Sequence, residues 1–309
     1  MNTFIVTGGN RGLGFEIARH LAANPETRVV IAARSLDRGQ QAARRIGSNV
    51  WVRELDLADR DSVDRFAATW DGPIAGLVNN AGVQFADATH FTDDGIEETF
   101  AVNHLNALRL TLGLESSLQG GRVMFIGSGT HNARHPTAAP FGFRGEQYQS
   151  IRNCAEGLDS SNKRGQLGKD RYATTKFLNM VTTVELARRY DPAQILFICL
   201  DPGLMPGTDL ARTVPAFLRF GWYYVLPIIA RVLPDSSTPA RSGKAAAELL
   251  EAGRANLRPG GIYTYNGDLS KRVIDRVFDP EIGRRVVNDS LELIRKGAFE
   301  RVPDSSAGR

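Results

Sequence analysis

The sequence predicts an α/β fold, a single doubly wound parallel sheet of about seven strands with helices on both faces and an insertion serving as a substrate lid. Three observations predict it. Short apolar runs alternate with amphipathic stretches from the first residue onward. The runs are almost continuously apolar, as strands covered on both faces must be. The first run leads directly into a glycine-rich turn that opens the first amphipathic stretch.

Taken in order, strands are expected at 3–7 (TFIVT), 28–33 (RVVIAA), 50–55 (VWVREL), 74–78 (IAGLV), 122–127 (RVMFIG), 195–200 (ILFICL) and 261–265 (GIYTY). Helical periodicity falls between them, at 12–23, 36–46, 60–70, 96–118, 172–190 and 240–252. Residues 1–300 read as one domain, followed by a frayed tail at 301–309. Two segments break the rhythm: 129–171, rich in Gly, Ser, Asn and Arg, and the apolar, proline-broken 204–239. Both follow strands, so both are expected at the carboxyl ends of the sheet, where open α/β sheets bind ligands.

Composition narrows the function. A chain of 309 residues with 42% hydrophobic and 23% charged residues is ordinary for a globular protein. A net charge of +4 is too mild to imply nucleic acid, though it suits an anionic ligand. Two cysteines form no disulfide framework, and Cys199 lies in a strand, which suggests a reduced cytoplasmic setting. The opening "MNTFIVTGGN" enters strand and glycine loop at once, without the look of a signal peptide. Residues 214–233 (VPAFLRFGWYYVLPIIARVL) are long enough to span a bilayer, but Pro215, Arg219, Pro227 and Arg231 interrupt them. They read as a greasy flap over a substrate pocket, with peripheral membrane contact the weaker alternative. Trp222, Tyr223 and Tyr224 there suit pocket lining, packing or a homo-oligomer contact equally.

"VTGGNRGLG" (6–14) supplies the first chemistry. Gly8, Gly12 and Gly14 give G-x-x-x-G-x-G between a strand and a helix, a tight bare turn that lets a diphosphate approach a helix N-terminus. The second strand ends "IAARS", with Arg34 where an acid would hold a ribose 2′-hydroxyl. Arg11 in the loop is a second cation on the same side. Two arginines flanking one expected phosphate favour NADP(H) over NAD.

Tyr172 and Lys176 in "RYATTK" stand four apart, on one face of a helix. With "LDL" (55–57), "NNAG" (79–82), Asn103 in "VNHLNALRLT", Ser128 in "FIGSGTH" and "DPG" (201–203), they come in the order found in the short-chain dehydrogenase/reductase family, which the chain resembles over nearly its whole length. "DPGLMPGTDLAR" and "GGIYTYNG" make it look most like the branch containing retinol dehydrogenases and light-dependent protochlorophyllide reductases. The resemblance implies a Rossmann-type fold and a cofactor held by Gly8, Asn10, Arg11, Gly12, Leu13, Gly14, Arg34, Asp56, Leu57, Asn80, Ala81, Gly82, Tyr172, Lys176, Pro202, Gly203 and Leu204. It also implies catalysis by Asn103, Ser128, Tyr172 and Lys176. Tyr172 would exchange the proton and Lys176 would depress its pKa and hold the nicotinamide ribose. Ser128 would bind the substrate oxygen, and Asn103 would support a water-linked proton route to Lys176.

The stretch between Ser128 and Tyr172 exceeds the family's usual spacing, which leaves Ser150, Ser160 and Ser161 as rival serines; Ser128 is preferred for its place at a strand end. The Asp of "DPG" is a departure with no account at this level. His131 and His135, four apart, invite a metal reading, but "NAR" and Pro136 argue against a helical ligand pair, so no metal is expected. Cys154 reads as a bystander. The resulting expectation is an NADP(H)-dependent reductase, or the reverse dehydrogenase, of a bulky apolar carbonyl or alcohol. A C=C reductase of the protochlorophyllide reductase type and a catalytically silent NADP sensor are the alternatives.

Overall fold

A computed structural model describes residues 1–85, 88–158, 164–205 and 235–296. Its centre is a seven-stranded sheet in the order β3-β2-β1-β4-β5-β6-β7. The strands are β1 (Asn2–Thr7), β2 (Thr27–Ala33), β3 (Val50–Glu54), β4 (Gly76–Asn79), β5 (Gly121–Ile126), β6 (Ile195–Asp201) and β7 (Ile262–Thr264). All neighbours pair in parallel. The chain winds outward from β1 to β3, then restarts on the other side of β1 at β4. The loops after β1 and β4 therefore part company, and the crevice between them is the switch point of the sheet.

Every strand except the edge strand β3 feeds two cores because successive side chains face opposite ways; β3 sends Val50 into one of them only. Ile5 joins the core beneath α3 (Arg60–Ala68), α5 (Asn106–Gly113), α7 (Arg164–Arg189) and α9 (Pro280–Lys296). Its neighbours Phe4 and Val6 join the core beneath α1 (Gly12–Leu21), α2 (Leu36–Ile46) and α8 (Pro239–Glu251). Short polar side chains start several of these helices. Ser35 accepts the Arg38 N–H at 3.4 Å, Asp59 the Asp61 N–H at 2.9 Å, and Thr238 the Arg241 N–H at 3.2 Å.

Three elements differ from expectation. The helix expected at 96–118 is α4 (Glu98–Phe100), a π turn at Ala101–Leu105, and α5. The wider turn carries Asn103 and His104 inward, where both are buried and hydrogen-bonded. Helix α7 begins at Arg164, so Tyr172 lies two turns inside it and not at its head. The polar residues of that extra stretch are held by the insertion and not by solvent: Gln166 donates to the Gly142 carbonyl at 3.1 Å, and the buried Asp170 pairs with Arg144. Such tertiary contacts leave no periodic trace. Helix α9 was not expected at all, although its signals are present. Asp279 precedes Pro280 and accepts the N–H groups of Glu281 (2.8 Å) and Ile282 (3.2 Å), while Ile282, Val286, Val287 and Leu293 are buried at helical spacing.

The insertion forms 3₁₀ turns at Gly129–His131 and Ala139–Phe141 and a short helix, α6 (Ile151–Glu156). Most of the expected flap, residues 206–234 with Trp222, Tyr223 and Tyr224, lies outside the described residues. Among the described residues, no helix is long and apolar enough to cross a membrane.

His104 joins three elements. Its ring nitrogens lie 3.3 Å from the Asn179 amide oxygen of α7 and 3.2 Å from the Ser290 hydroxyl of α9. Burial pulls its pKa down to about 4, from 6.5. Between those values the unfolded chain binds a proton that the folded chain refuses, so this contribution to stability is lost as pH falls from about 6.5 toward 4. His104→Gln is expected to flatten that part of the stability profile, measured as urea midpoints between about pH 7.5 and 4.5. An unchanged slope would remove His104 as its source.

Candidate active site

The loops after β1 and β4 are locked together by one hydroxyl. Thr7 Oγ1 donates to the Val78 carbonyl at 3.2 Å and accepts the N–H groups of Asn80 (3.0 Å) and Ala81 (2.9 Å). The Asn80 amide returns a bond to the Thr7 carbonyl at 2.8 Å. "NNAG" thereby sits against the glycine loop. A Cβ on Gly14 would lie 2.4 Å from the Asn80 amide nitrogen and 2.7 Å from the Gly8 carbonyl oxygen, so only glycine allows α1 to start this close. Gly12 has φ +56° and nothing within 4 Å of its missing Cβ, which leaves that side of the loop open. The first turn of α1 has no acid, and no side-chain hydrogen bond from Arg11 caps it.

Of the other cofactor candidates, Leu13 and Leu57 are buried in opposite cores, so only their backbones are available to a ligand. Arg34, at the end of β2, has a side chain 70% exposed, with Nε 3.9 Å from Asp56 Oδ2. Asp56 also accepts the Ala58 N–H at 3.0 Å. This open cradle of bare backbone and uncapped helix start fits the diphosphate of a dinucleotide.

The second half of the site gathers around the end of β5. Lys176 is 4% exposed and Tyr172 8%. Lys176 Nζ donates to the Ile126 carbonyl at 3.1 Å, as does the Asn179 amide at 3.1 Å. Lys176 Nζ stands 5.3 Å from the centroid of the Tyr172 ring. A Cβ on Gly82 would lie 3.2 Å from Asn103 Oδ1 and 3.8 Å from Lys176 Nζ, so the three meet. Asn103 itself is fully engaged: it accepts the Val83 N–H at 2.7 Å and donates to the Val83 carbonyl at 2.9 Å and to Thr175 Oγ1 at 3.1 Å. Ser128 follows β5 after Gly127, partly exposed, its hydroxyl accepting the Thr130 N–H at 3.3 Å. Its rival Ser150 is the cap of α6, accepting the Asn153 N–H at 3.1 Å, and Ser160 and Ser161 lie outside the described residues.

The surroundings of the pair disfavour charge on either member. Burial pushes the phenol above its ordinary value and the Asp201 carboxylate adds to this, so the phenol holds its proton at neutral pH. Burial also pulls Lys176 down to about 8. The ammonium is bonded to a carbonyl and lies over the ring, and desolvation wins over that contact.

Asp201 now has an account. It is 7% exposed, and its carboxylate accepts the Gly203 N–H at 3.1 Å, closing the turn after β6 where Gly203 has φ +72°. Pro202 is fixed by Ser242, whose hydroxyl donates to its carbonyl at 2.8 Å. Leu204 exchanges backbone bonds with Asp235 and Ser237, both at 2.9 Å. Thr7, Thr175 and Asn179 are the site residues that sequence reasoning missed; a polar residue inside an apolar run was the available signal for the first. His131 and His135 flank the Ser128 turn and not a helix face. Among the described residues, no group of three or more His, Cys, Asp or Glu side chains is placed to hold a metal ion. Cys154 is partly buried and in no disulfide.

A model of the short chain dehydrogenase family matches residues 2–142. A short-chain dehydrogenase of Talaromyces variabilis is 30% identical over 352 residues, covering 95% of this chain and 95% of that protein. The protochlorophyllide reductase of Avena sativa is 29% identical over 318 residues, covering 94% and 98%. Among solved structures, an uncharacterized protein from Mycobacterium paratuberculosis has a TM-score of 0.68 at 26% identity, covering 96% of this chain and 94% of that one.

Gly14→Ala is expected to force α1 away from Asn80 and to cost about 1–3 kcal/mol, as overpacking of a tight contact does. Urea denaturation measures it; unaltered stability would mean that the loop yields without strain.

Proposed function

This chain belongs to the short-chain dehydrogenase family of oxidoreductases, and we propose that it is an NADP(H)-dependent member acting on a bulky, largely apolar carbonyl or alcohol. The observation that carries the proposal is the buried Tyr172–Lys176 pair on α7, set against the end of β5 from which Ser128 emerges.

The cofactor, when bound, supplies or accepts the hydride. The chain's residues do the rest. Gly8, Asn10, Arg11, Gly12, Leu13 and Gly14 receive the diphosphate at the start of α1 through bare backbone and N–H groups. Asp56, Leu57, Asn80, Ala81 and Gly82 wall the adenine and ribose side, and Pro202, Gly203 and Leu204 the nicotinamide side. Arg34, with Arg11, meets the 2′-phosphate. Ser128 hydrogen-bonds the substrate oxygen, where charge develops during reduction. Tyr172 gives that oxygen a proton; burial keeps the phenol protonated at neutral pH. Lys176 holds the ribose and restores charge balance beside the phenol. Asn103 keeps the Val83 backbone and Thr175 in place next to Lys176.

Reduction of a C=C bond is a second reading, supported by the protochlorophyllide reductases among the relatives. A screen of NADPH oxidation over ketones, aldehydes and enones, with product identification, separates the two; tight NADPH binding without turnover on any of them would favour a sensor. Tyr172→Phe is expected to lower kcat by about 10²–10⁴ with a carbonyl substrate. Retained activity would sink the proton-donor role. Arg34→Glu is expected to reduce the preference for NADPH over NADH by at least about tenfold, equivalent to ~1.4 kcal/mol, in fluorescence titrations of both cofactors. An unchanged ratio would place the 2′-phosphate elsewhere.

A further inference from the structure

We infer that His131 is a positioning residue for Ser128: its imidazole clamps the serine's own carbonyl and ties that turn to the chain segment leading into α9. The inference deepens the proposed function and rests on its assignment of Ser128 to the substrate oxygen.

Among the described residues the Ser128 hydroxyl receives one long bond, from the Thr130 N–H at 3.3 Å, which fixes its direction weakly. The backbone must therefore do most of the aiming. The Ser128 carbonyl accepts the His131 N–H at 3.3 Å and approaches His131 Nδ1 to 2.7 Å, so the ring makes the shorter and firmer of the two contacts. At that distance from a carbonyl, Nδ1 must carry the hydrogen. The other ring nitrogen, Nε2, then offers a lone pair, and the Ile274 N–H faces it at 3.4 Å. A ring with its hydrogen on Nε2 would set two donors against each other at Ile274 and two acceptors against each other at Ser128. The surroundings therefore select one neutral tautomer, inside a residue that is 1% exposed.

The ring is held in turn. The His131 carbonyl accepts the Glu146 N–H at 3.0 Å, and the Glu146 carboxylate pairs with Arg276. The neighbouring Asn132 amide donates to the Arg272 carbonyl at 2.9 Å. A second imidazole covers the turn: a Cβ on Gly129 would lie 2.6 Å from His135 Nε2. Ser128–Gly129 is thus held by two rings, one bonded to it and one packed on it. The arrangement gives the histidine pair a purpose that needs no metal. It also explains how a serine at the mouth of a long insertion keeps its place, since insertion and C-terminal segment both converge on His131.

The test uses the full chain with His131→Asn, His131→Gln and His131→Leu. Asn places an N–H close to where Nδ1–H stands; Gln reaches toward Nε2 but cannot serve the Ser128 carbonyl. His131→Asn is expected to stay within about threefold of the parent kcat. Gln and Leu are expected to lose about 10–100-fold in kcat, as displaced reacting groups do, with the NADPH dissociation constant unchanged. Nitrogen-15 NMR of the imidazole at neutral pH, without substrate, is expected to show a neutral ring protonated on Nδ1. Full kcat in Gln and Leu, equal loss in Asn and Leu, or a ring protonated on Nε2 would each overturn the inference. If the parent protein turns over no carbonyl or enone, the proposed function fails, while the NMR arm still decides whether the clamp exists.

Discussion

The carbonyl of Ile126 organises this molecule. It closes β5 and faces the β4 side, as Arg122 of the same parity does when its N–H bonds Ala75. There β4 has already ended at Asn79, paired with Phe125, so no strand partner remains for it. A buried carbonyl without a partner is costly. Helix α7 supplies two donors, Lys176 Nζ and the Asn179 amide, both at 3.1 Å. That requirement sets the rotation and height of the longest described helix against the sheet, and one turn earlier on the same face stands Tyr172. Asn179 also meets His104, and Thr175 meets Asn103, so the π turn and α9 are placed by the same docking.

From this follows a separation of duties inside the cleft. The switch-point half, between β1 and β4, is built of backbone: glycines that must lack a Cβ, and a threonine hydroxyl that knots two loops. The β5–α7 half is built of buried ionisable side chains whose surroundings disfavour charge. A protonated phenol and a lysine with a pKa lowered to about 8 describe the protein without ligand, where burial outweighs the mutual attraction of the pair. An anionic ligand lying beside Lys176 would raise its pKa again. The Asp201 carboxylate opposes any negative charge on Tyr172, which keeps the phenol in its protonated form.

Much of the site was legible in the sequence because its chemistry is local. Gly8 and Gly12 need positive φ, Gly14 needs closeness, and all three fall within one turn between strand and helix. Tyr172 and Lys176 share a face whichever turn of the helix they occupy. What stayed hidden depends on partners distant in the chain. The start of α7 at Arg164 is made by the insertion, through Gly142 and Arg144. Asn103 was read from its motif alone, while the bonds of its amide to Val83 and Thr175 come from segments distant in the chain. His131 and His135 were read only as a rejected metal pair; the structure bonds the first to the Ser128 carbonyl and packs the second on Gly129. Helix α9 was readable from Asp279, Pro280 and the spacing of its apolar residues.

The sequence by itself determined the α/β class, the alternation of strands and helices, the glycine loop and the Tyr172–Lys176 pair. These rest on period, backbone stereochemistry and spacing, which act over a few residues. Only the tertiary structure decided the direction of the Tyr172 pKa, the account of Asp201 and the bracing of Ser128. Each is a balance between desolvation and contacts from elements far apart in the chain, and no short-range pattern carries that balance.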